Sequence, residues 1–342
     1  MFNNPTKILF FSTLMGGTLI SISSNSWLSA WMGLEINLLS FIPLMTNSKN
    51  ILSTEASLKY FLIQALASAS LLFTIILMHL SFDMSILMSH EMFMILISSA
   101  LLLKMGAAPF HFWFPGTMEG LNWMNCLILM TWQKIAPLML LSYTISMNAF
   151  SAFIIVTSVV VGSLGGLNQT SLRKLMAYSS INHLGWMVAA MTTGENLWEL
   201  YFMIYVFLSF SLVFLFYTFN TFHVNQMFLI MNKNTTMKFC LFALLLSLGG
   251  LPPFLGFLPK WIIIQSMVEL NLTFIITIMV VMTLITLFYY LRLSFSAFII
   301  SYTEMKWIPF ESHKNPKSIV IMSLATISAL ALMACSILFN IL

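Results

Sequence analysis

Nearly the whole chain is divided into apolar runs long enough to cross a bilayer, and that pattern excludes most folds. Counting roughly 20 predominantly apolar residues per span predicts helices near 7–23, 26–45, 57–79, 91–108, 122–147, 149–168, 174–193, 196–222, 238–268, 273–300 and 317–341. Hydrocarbon offers a backbone N–H or C=O no water, so runs of this length must pair their own backbone groups as helices. Only 7% of the residues are charged and 60% are hydrophobic, against a charged share of about 25% in soluble domains. The expectation is an all-α polytopic membrane protein with about eleven transmembrane helices, forming a single membrane domain over 1–342. Lys7 ahead of the first run imitates a secretory signal, but no A-x-A site follows, so the run reads as a retained helix.

Two of these runs are interrupted in the same way. GAAPFHFWFP, from Gly106 to Pro115, and GLPPFLGFLP, from Gly250 to Pro259, share Gly, Pro, Phe and Pro at the same four places: Gly106 with Gly250, Pro109 with Pro253, Phe110 with Phe254, and Pro115 with Pro259. Each has a lysine beside it, Lys104 before the first and Lys260 after the second. A pair of Pro/Gly-interrupted segments in corresponding positions points to a transport site built from an internal repeat. The lysines strengthen that reading, because an ammonium near the bilayer centre costs roughly 2.5–3.5 kcal/mol on insertion scales.

Loop charges predict orientation. The side holding the N-terminus receives Lys7, Lys49, Lys59, Arg173, Lys174, Lys233, Lys238, Lys306, Lys314 and Lys317. The opposite side receives Asp83, Glu91, Glu195, Glu199 and Glu269, and no basic loop residue. By the positive-inside rule the basic side is the cytoplasm or its mitochondrial equivalent, the matrix. An odd number of spans then puts the C-terminus on the outer side.

Other ionisable residues lie inside the spans: Glu35, Lys104, Lys134, His183 and Lys260. Together they form a candidate chain of protonatable groups across the middle of the bilayer. Prolines add polar groups to that layer, since each lacks an N–H and leaves the carbonyl four residues back unpaired. Pro109 frees Met105, Pro137 frees Gln133 and Pro253 frees Gly249. Such carbonyls need protein or cavity water. Plainer readings stand beside these: Glu35 with one lysine as an ion pair joining two helices, and His183, near Ser179, Ser180 and Asn182, as an interhelical hydrogen bond. Arg292 reads as snorkelling to the surface, His79 and His90 as interfacial, and Gly162 with Gly166 as a close-packing face.

Several functions are excluded. Basic residues are scattered and no basic run with interleaved aromatics occurs, which argues against a nucleic-acid partner. Cys126, Cys240 and Cys335 stand alone, without metal or iron–sulfur spacing. Neither GxGxxG after a strand nor GxxxxGK[ST] is present, so dinucleotide or NTP binding by this chain is not expected.

The motifs LLLKMGAAPFHFWFP, TWQKIAPL, QTSLRKLMAYSSINHLGWM and LSLGGLPPFLGFLPKW resemble, in that order, the antiporter-like membrane subunits of respiratory complex I, animal mitochondrial members above all. The likeness runs from Trp31 to the last helix. It implies two inverted five-helix repeats, about 7–147 and 149–300, with broken helices 4 and 9, followed by a C-terminal helix near 317–341. Carried over to this chain, it implies Glu35 as the pairing glutamate of Lys104, Lys134 as the central lysine, His183 as the bridging histidine, and Lys260 as the lysine near the outward exit. His111, after the first break, stands at a family histidine. Longer members carry three more N-terminal helices, which leaves the corresponding flank to be covered by neighbouring subunits.

The resemblance further implies a subunit of a hetero-oligomeric, proton-translocating NADH:ubiquinone reductase in the mitochondrial inner membrane. NADH, FMN, iron–sulfur clusters and ubiquinone would belong to other subunits, with no cofactor or metal held here. The partners would be the lipid bilayer and other membrane-arm subunits of complex I. Charge changes elsewhere would act on Glu35–Lys104, then on Lys134 and Lys260, because a buried amine responds to nearby charge and solvation. Two rivals remain at this point: a structural membrane-arm subunit without proton flux, and a free-standing cation/proton antiporter.

Overall fold

The computed structural model describes residues 5–47, 50–84, 90–194, 196–231, 235–300 and 319–330, and the elements among them are helices. In chain order these are α1 (Pro5–Ser23), α2 (Trp27–Met45), α3 (Ile51–Met84), α4 (His90–Met105), α5 (Trp113–Gly120), α6 (Trp123–Met130) and α7 (Trp132–Ser142). They continue with α8 (Ala149–Gly166), α9 (Leu172–Thr193), α10 (Leu197–Phe219), α11 (Val224–Met231), α12 (Thr235–Gly249), α13 (Phe257–Glu269), α14 (Thr273–Ile300) and α15 (Ile319–Leu330). Among the described residues seven helical spans are long and apolar enough to cross a membrane, α6 and α7 together making one of them. The chain is an all-α, multi-pass membrane protein, as its apolar runs predict. Lys49, Glu195, Lys233, Lys306, Lys314, Lys317, Cys335 and the last run beyond 330 lie outside the described residues.

Both predicted breaks are present and are built alike. α4 ends at Met105 and the helix resumes at Trp113; α12 ends at Gly249 and resumes at Phe257. Gly106 (φ 73°) and Gly250 (φ 83°) take the left-handed conformation just past each helix end, where a side chain would be strained. Ala107 N–H donates to Leu102 O at 3.1 Å and Leu251 N–H to Leu246 O at 3.4 Å. This reach from the second residue past the helix back to the last turn is a Schellman termination. Pro115 and Pro259 fall in the first turn of the resumed helices α5 and α13, where the missing N–H costs no intrahelical bond.

The structure corrects the expected helix at 122–147. It stops at Ser142 and is interrupted at Thr131. The Thr131 hydroxyl donates to Leu127 O at 2.7 Å, the carbonyl its own N–H also uses at 3.0 Å, and Lys134 N–H turns to Thr131 O, three residues back, at 3.2 Å. A hydroxyl bonded to the previous turn bends helices, and here it tightens the chain immediately before Lys134. Two short helices, α5 and α11, were not foreseen. Lys238, expected in a loop, is buried near the start of α12, because that helix begins earlier than its apolar run.

The chain divides into two compact units, Met1–Thr157 and Ser158–Leu342, the division falling inside α8. In the first, α1 and α2 pack backbone to backbone: a Cβ on Gly33 would lie 2.6 Å from Ser21 N, the close approach that small residues permit in membranes. Trp31 Nε1 donates to Ser68 O of α3 at 3.1 Å, and Asn125 Nδ2 of α6 to Leu44 O of α2 at 2.9 Å. The second unit is centred on α9, which falls outside the seven strongly apolar spans yet is buried along almost its entire length. Lipid cannot satisfy its Ser179, Ser180, Asn182 and His183, so the polar helix takes the protein interior.

Candidate functional site

In the first unit the sequence-singled lysines sit at the helix ends that the breaks create. Lys104 occupies the last turn of α4 and Lys134 the first turn of α7, with 7% and 1% of their surfaces exposed. Their ammonium groups thus stand at helix ends of opposite polarity. Lys134 Nζ lies 5.1 Å from the centroid of the Phe114 ring of α5, a cation–π distance.

A cavity of about 20 Å³ joins the two lysines, lined among others by Asn37, Tyr60, Gln64 and Gln133. That volume admits about one water. Its polar wall is ordered: Gln64 Nε2 donates to Lys104 O at 3.0 Å, Gln133 Nε2 to Asn37 Oδ1 at 2.9 Å, and Tyr60 hydroxyl to Gln133 Oε1 at 3.5 Å. The carbonyls at the end of α4 are answered within the protein, Lys104 O by Gln64 and Leu103 O by Trp113 Nε1 at 3.2 Å.

Glu35 lies half-buried on α2. An exposed ion pair, Lys59–Glu55 at 3.9 Å, lies along α3. His111 is buried within the first break, its Nδ1 3.3 Å from Pro109 O and its ring 4.3 Å from that of Phe112.

In the second unit, Lys260 of α13 is 5% exposed and donates to Gly249 O at 2.8 Å. Pro253, four residues on, has no N–H for that carbonyl, so the lysine fills the place of the missing donor. His183 is buried in α9, its Nδ1 2.7 Å from the Tyr201 hydroxyl of α10 and its ring 5.1 Å from that of Tyr205. Arg292 donates to Leu167 O from an exposed position, in keeping with a surface role.

Asn37, Tyr60, Gln64, Tyr201 and the side chain of Gln133, whose carbonyl alone was noted, were not singled out from the sequence. A signal existed for them, since each is a polar group within an apolar run, but only packing shows which ones face the lysines or His183. Cys126 and Cys240 are buried free thiols. Among the described residues no group of three His, Cys, Asp or Glu side chains is placed to hold a metal ion.

Residues 24–286 match the family model described as NADH:quinone oxidoreductase/Mrp antiporter, TM. NADH-ubiquinone oxidoreductase chain 2 of Anopheles gambiae is 58% identical over 311 residues, covering 91% of either chain. The protein of that name from Aedes aegypti is 56% identical over 335 residues, 98% of either, and that from Oryctolagus cuniculus 41% over 326 residues, 91% of this chain and 92% of the relative. Among solved structures, a chain of respiratory complex I from Thermus thermophilus with bound aureothin superposes with a TM-score of 0.84 at 24% identity, covering 98% of this chain and 79% of that one. A chain of the Mrp complex from Dietzia gives 0.76 at 13% identity, covering 96% and 75%. These two likenesses speak for the helical fold alone. The sequence relationship is far stronger, and on it the chain belongs to the NADH-ubiquinone oxidoreductase chain 2 family, within the NADH:quinone oxidoreductase/Mrp antiporter membrane proteins.

Proposed function

We propose that this chain is a membrane-arm subunit of complex I that carries protons along Glu35, Lys104, Lys134, His183 and Lys260 while other subunits carry the electrons. The observation that carries this reading is the water-sized cavity shared by Lys104 and Lys134 and walled by Asn37, Tyr60, Gln64 and Gln133. Two amines so expensive to insert share a place where one water can pass a proton between them. Glu35 biases Lys104 by its charge, and a change of charge in a neighbouring subunit alters that bias. His111 serves at the first break, and Lys260, held by the carbonyl that Pro253 frees, releases the proton outward. NADH, FMN, iron–sulfur clusters and ubiquinone are held by other subunits of the hetero-oligomer.

The chain lies in the mitochondrial inner membrane, N-terminus in the matrix and C-terminus in the intermembrane space, a placement supported by the loop charges. The two interrupted helices form corresponding parts of two inverted repeats, an arrangement supported by their shared Schellman end and restarting proline.

Lys134→Met in the assembled complex tests the reading. Methionine keeps the length and apolar stem of lysine, and its insertion is cheaper by roughly 2.5–3.5 kcal/mol, so assembly is retained. Proton pumping per electron falls, or the coupled rate slows. An assembled mutant with full quinone-reduction rate and full stoichiometry makes the chain a scaffold.

A further inference from the structure

Two amides wall the cavity between Lys104 and Lys134, and neither can carry a proton. Asn37 stands on α2 and Gln133 in the first turn of α7, and Gln133 Nε2 donates to Asn37 Oδ1 at 2.9 Å. An amide neither takes up nor releases a proton near neutral pH, so these two are not stations of the relay. Both are held in place. The α1 backbone closes on Asn37, where a Cβ on Gly17 would lie 2.9 Å from Asn37 N. Gln133 Oε1 faces the Tyr60 hydroxyl at 3.5 Å, and the buried Tyr60 ring is wedged between Phe41 and Trp113, with centroids at 5.4 and 5.9 Å. Trp113 in turn donates to Leu103 O, beside Lys104.

We propose that Asn37 and Gln133 are a positioning pair for proton transfer between Lys104 and Lys134, holding the water of their shared cavity in the orientation that the transfer needs. The pair rests on the proton-carrying role proposed above. Each amide nitrogen has two hydrogens and each amide oxygen two lone pairs. The bond to Asn37 Oδ1 uses one hydrogen of Gln133 Nε2, which leaves its second and those of Asn37 Nδ2 as donors to the cavity that both residues line. A buried water takes two to four polar partners. Here it accepts from an amide N–H and from the Lys104 ammonium, and donates to Gln133 Oε1 and to an uncharged Lys134 amine. As its oxygen gains a proton from Lys104 Nζ, it passes one of its own to Lys134 Nζ. One N–H bond breaks on Lys104 and one forms on Lys134, and the water is returned unchanged. The amides act as fixed dipoles that need no rearrangement during the step.

Adhesion between α2 and α7 does not by itself account for the pair. Replacing two bonded polar partners by apolar groups of the same shape is nearly neutral or stabilising, so leucine and methionine would join these helices as well. The single bond between the amides satisfies one donor and one acceptor, and the rest of their polar atoms cost free energy in a buried site unless a further partner is present. Gln64 has a different task, since its Nε2 is spent on Lys104 O at 3.0 Å. It fixes the end of α4, while Asn37 and Gln133 face the space between the lysines.

The experiment uses the complete complex in proteoliposomes, with Asn37→Leu, Gln133→Met, the two combined, and the exchange variant Asn37→Gln with Gln133→Asn. Lys134→Met is the reference, and Tyr143→Phe, at a tyrosine 68% exposed just past α7, the control. The rate of proton pumping, the solvent deuterium isotope effect on coupled turnover and the thermal midpoint are read for each. Asn37→Leu and Gln133→Met are expected to slow pumping about tenfold, the worth of one hydrogen bond lost from the transferring arrangement, and to raise the isotope effect. Combined they slow it no further than either alone, because residues acting as one unit are not additive. The exchange variant keeps both amides and their summed reach, and restores pumping; Tyr143→Phe matches the parent. A structural pair would move the midpoint and leave pumping and isotope effect at parent values. That result with Lys134→Met impaired, or an exchange variant as slow as the single ones, refutes the positioning role and leaves the lysine relay standing. If Lys134→Met also pumps as the parent, relay and pair fall together. Should Asn37→Leu not assemble, Asn37→Ser, too short to reach Gln133, decides by the same readouts.

Discussion

Lys134 and Lys260 are both buried, yet their surroundings predict different consequences of removing the charge. Lys260 Nζ is the donor that satisfies Gly249 O at 2.8 Å, so Lys260→Met orphans a buried carbonyl and costs about 1–3 kcal/mol. Lys134 is a cation over the Phe114 ring, and methionine retains contact with an aromatic face. Thermal dissociation of the assembled complex should therefore occur at lower temperature for Lys260→Met than for Lys134→Met, with pumping reduced in both. Equal midpoints would mean that Gly249 O finds another partner and that Lys260 is not needed structurally. At this scale the identity of the titratable residues was legible in the sequence, since five ionisable groups inside apolar runs are conspicuous. Their partners were not: Gln64, Gln133 and Asn37 come from different helices, and only helix packing turns those amides onto one cavity.

At the scale of elements the two breaks carry the strongest sequence signal, because their cause is local. Gly106 and Gly250 are the left-handed residues and the prolines restart the helices, so the motif contains its own geometry. The break after α12 also adjoins Lys260. A Cβ on Gly250 would sit 2.9 Å from Lys260 Nζ, and the φ of 83° adds strain of roughly 1–2 kcal/mol for any L side chain. Gly250→Ala is thus expected to destabilise the assembled complex by at least that amount and to slow pumping by displacing the ammonium from Gly249 O. Gly16→Ala in α1, where a Cβ meets nothing within 4 Å, should be neutral in both assays. A Gly250→Ala complex indistinguishable from Gly16→Ala would show that the left-handed turn does not hold Lys260. The interruption at Thr131 escaped the sequence, for Thr is common in helices and the bend needs its hydroxyl to choose Leu127 O, a choice that composition does not announce.

For the whole molecule the testable quantity is orientation. α9 connects the Asn168 loop to the Asn196 loop, so cysteines placed at these two exposed positions should lie on opposite faces of the membrane. Asn168→Cys should react with an impermeant thiol reagent from the matrix and Asn196→Cys from the intermembrane space, each measured against the parent, in which Cys126 and Cys240 are buried. The reverse pattern would invert the assignment drawn from loop charge. The fold class was written in the sequence itself, because in hydrocarbon a backbone has few ways to satisfy its polar groups and an apolar run of bilayer length must become a helix. The breaks followed from glycine and proline, whose conformational preferences act over a few residues. What lies between helices did not follow, since a helix of this composition is compatible with many rotations about its own axis. Tertiary packing alone decided that α9, the polar helix, is the buried centre of its unit, that Gln133 bridges Tyr60 and Asn37, and that Tyr201 grips His183. Each depends on contacts between side chains from separate spans, which local sequence does not encode.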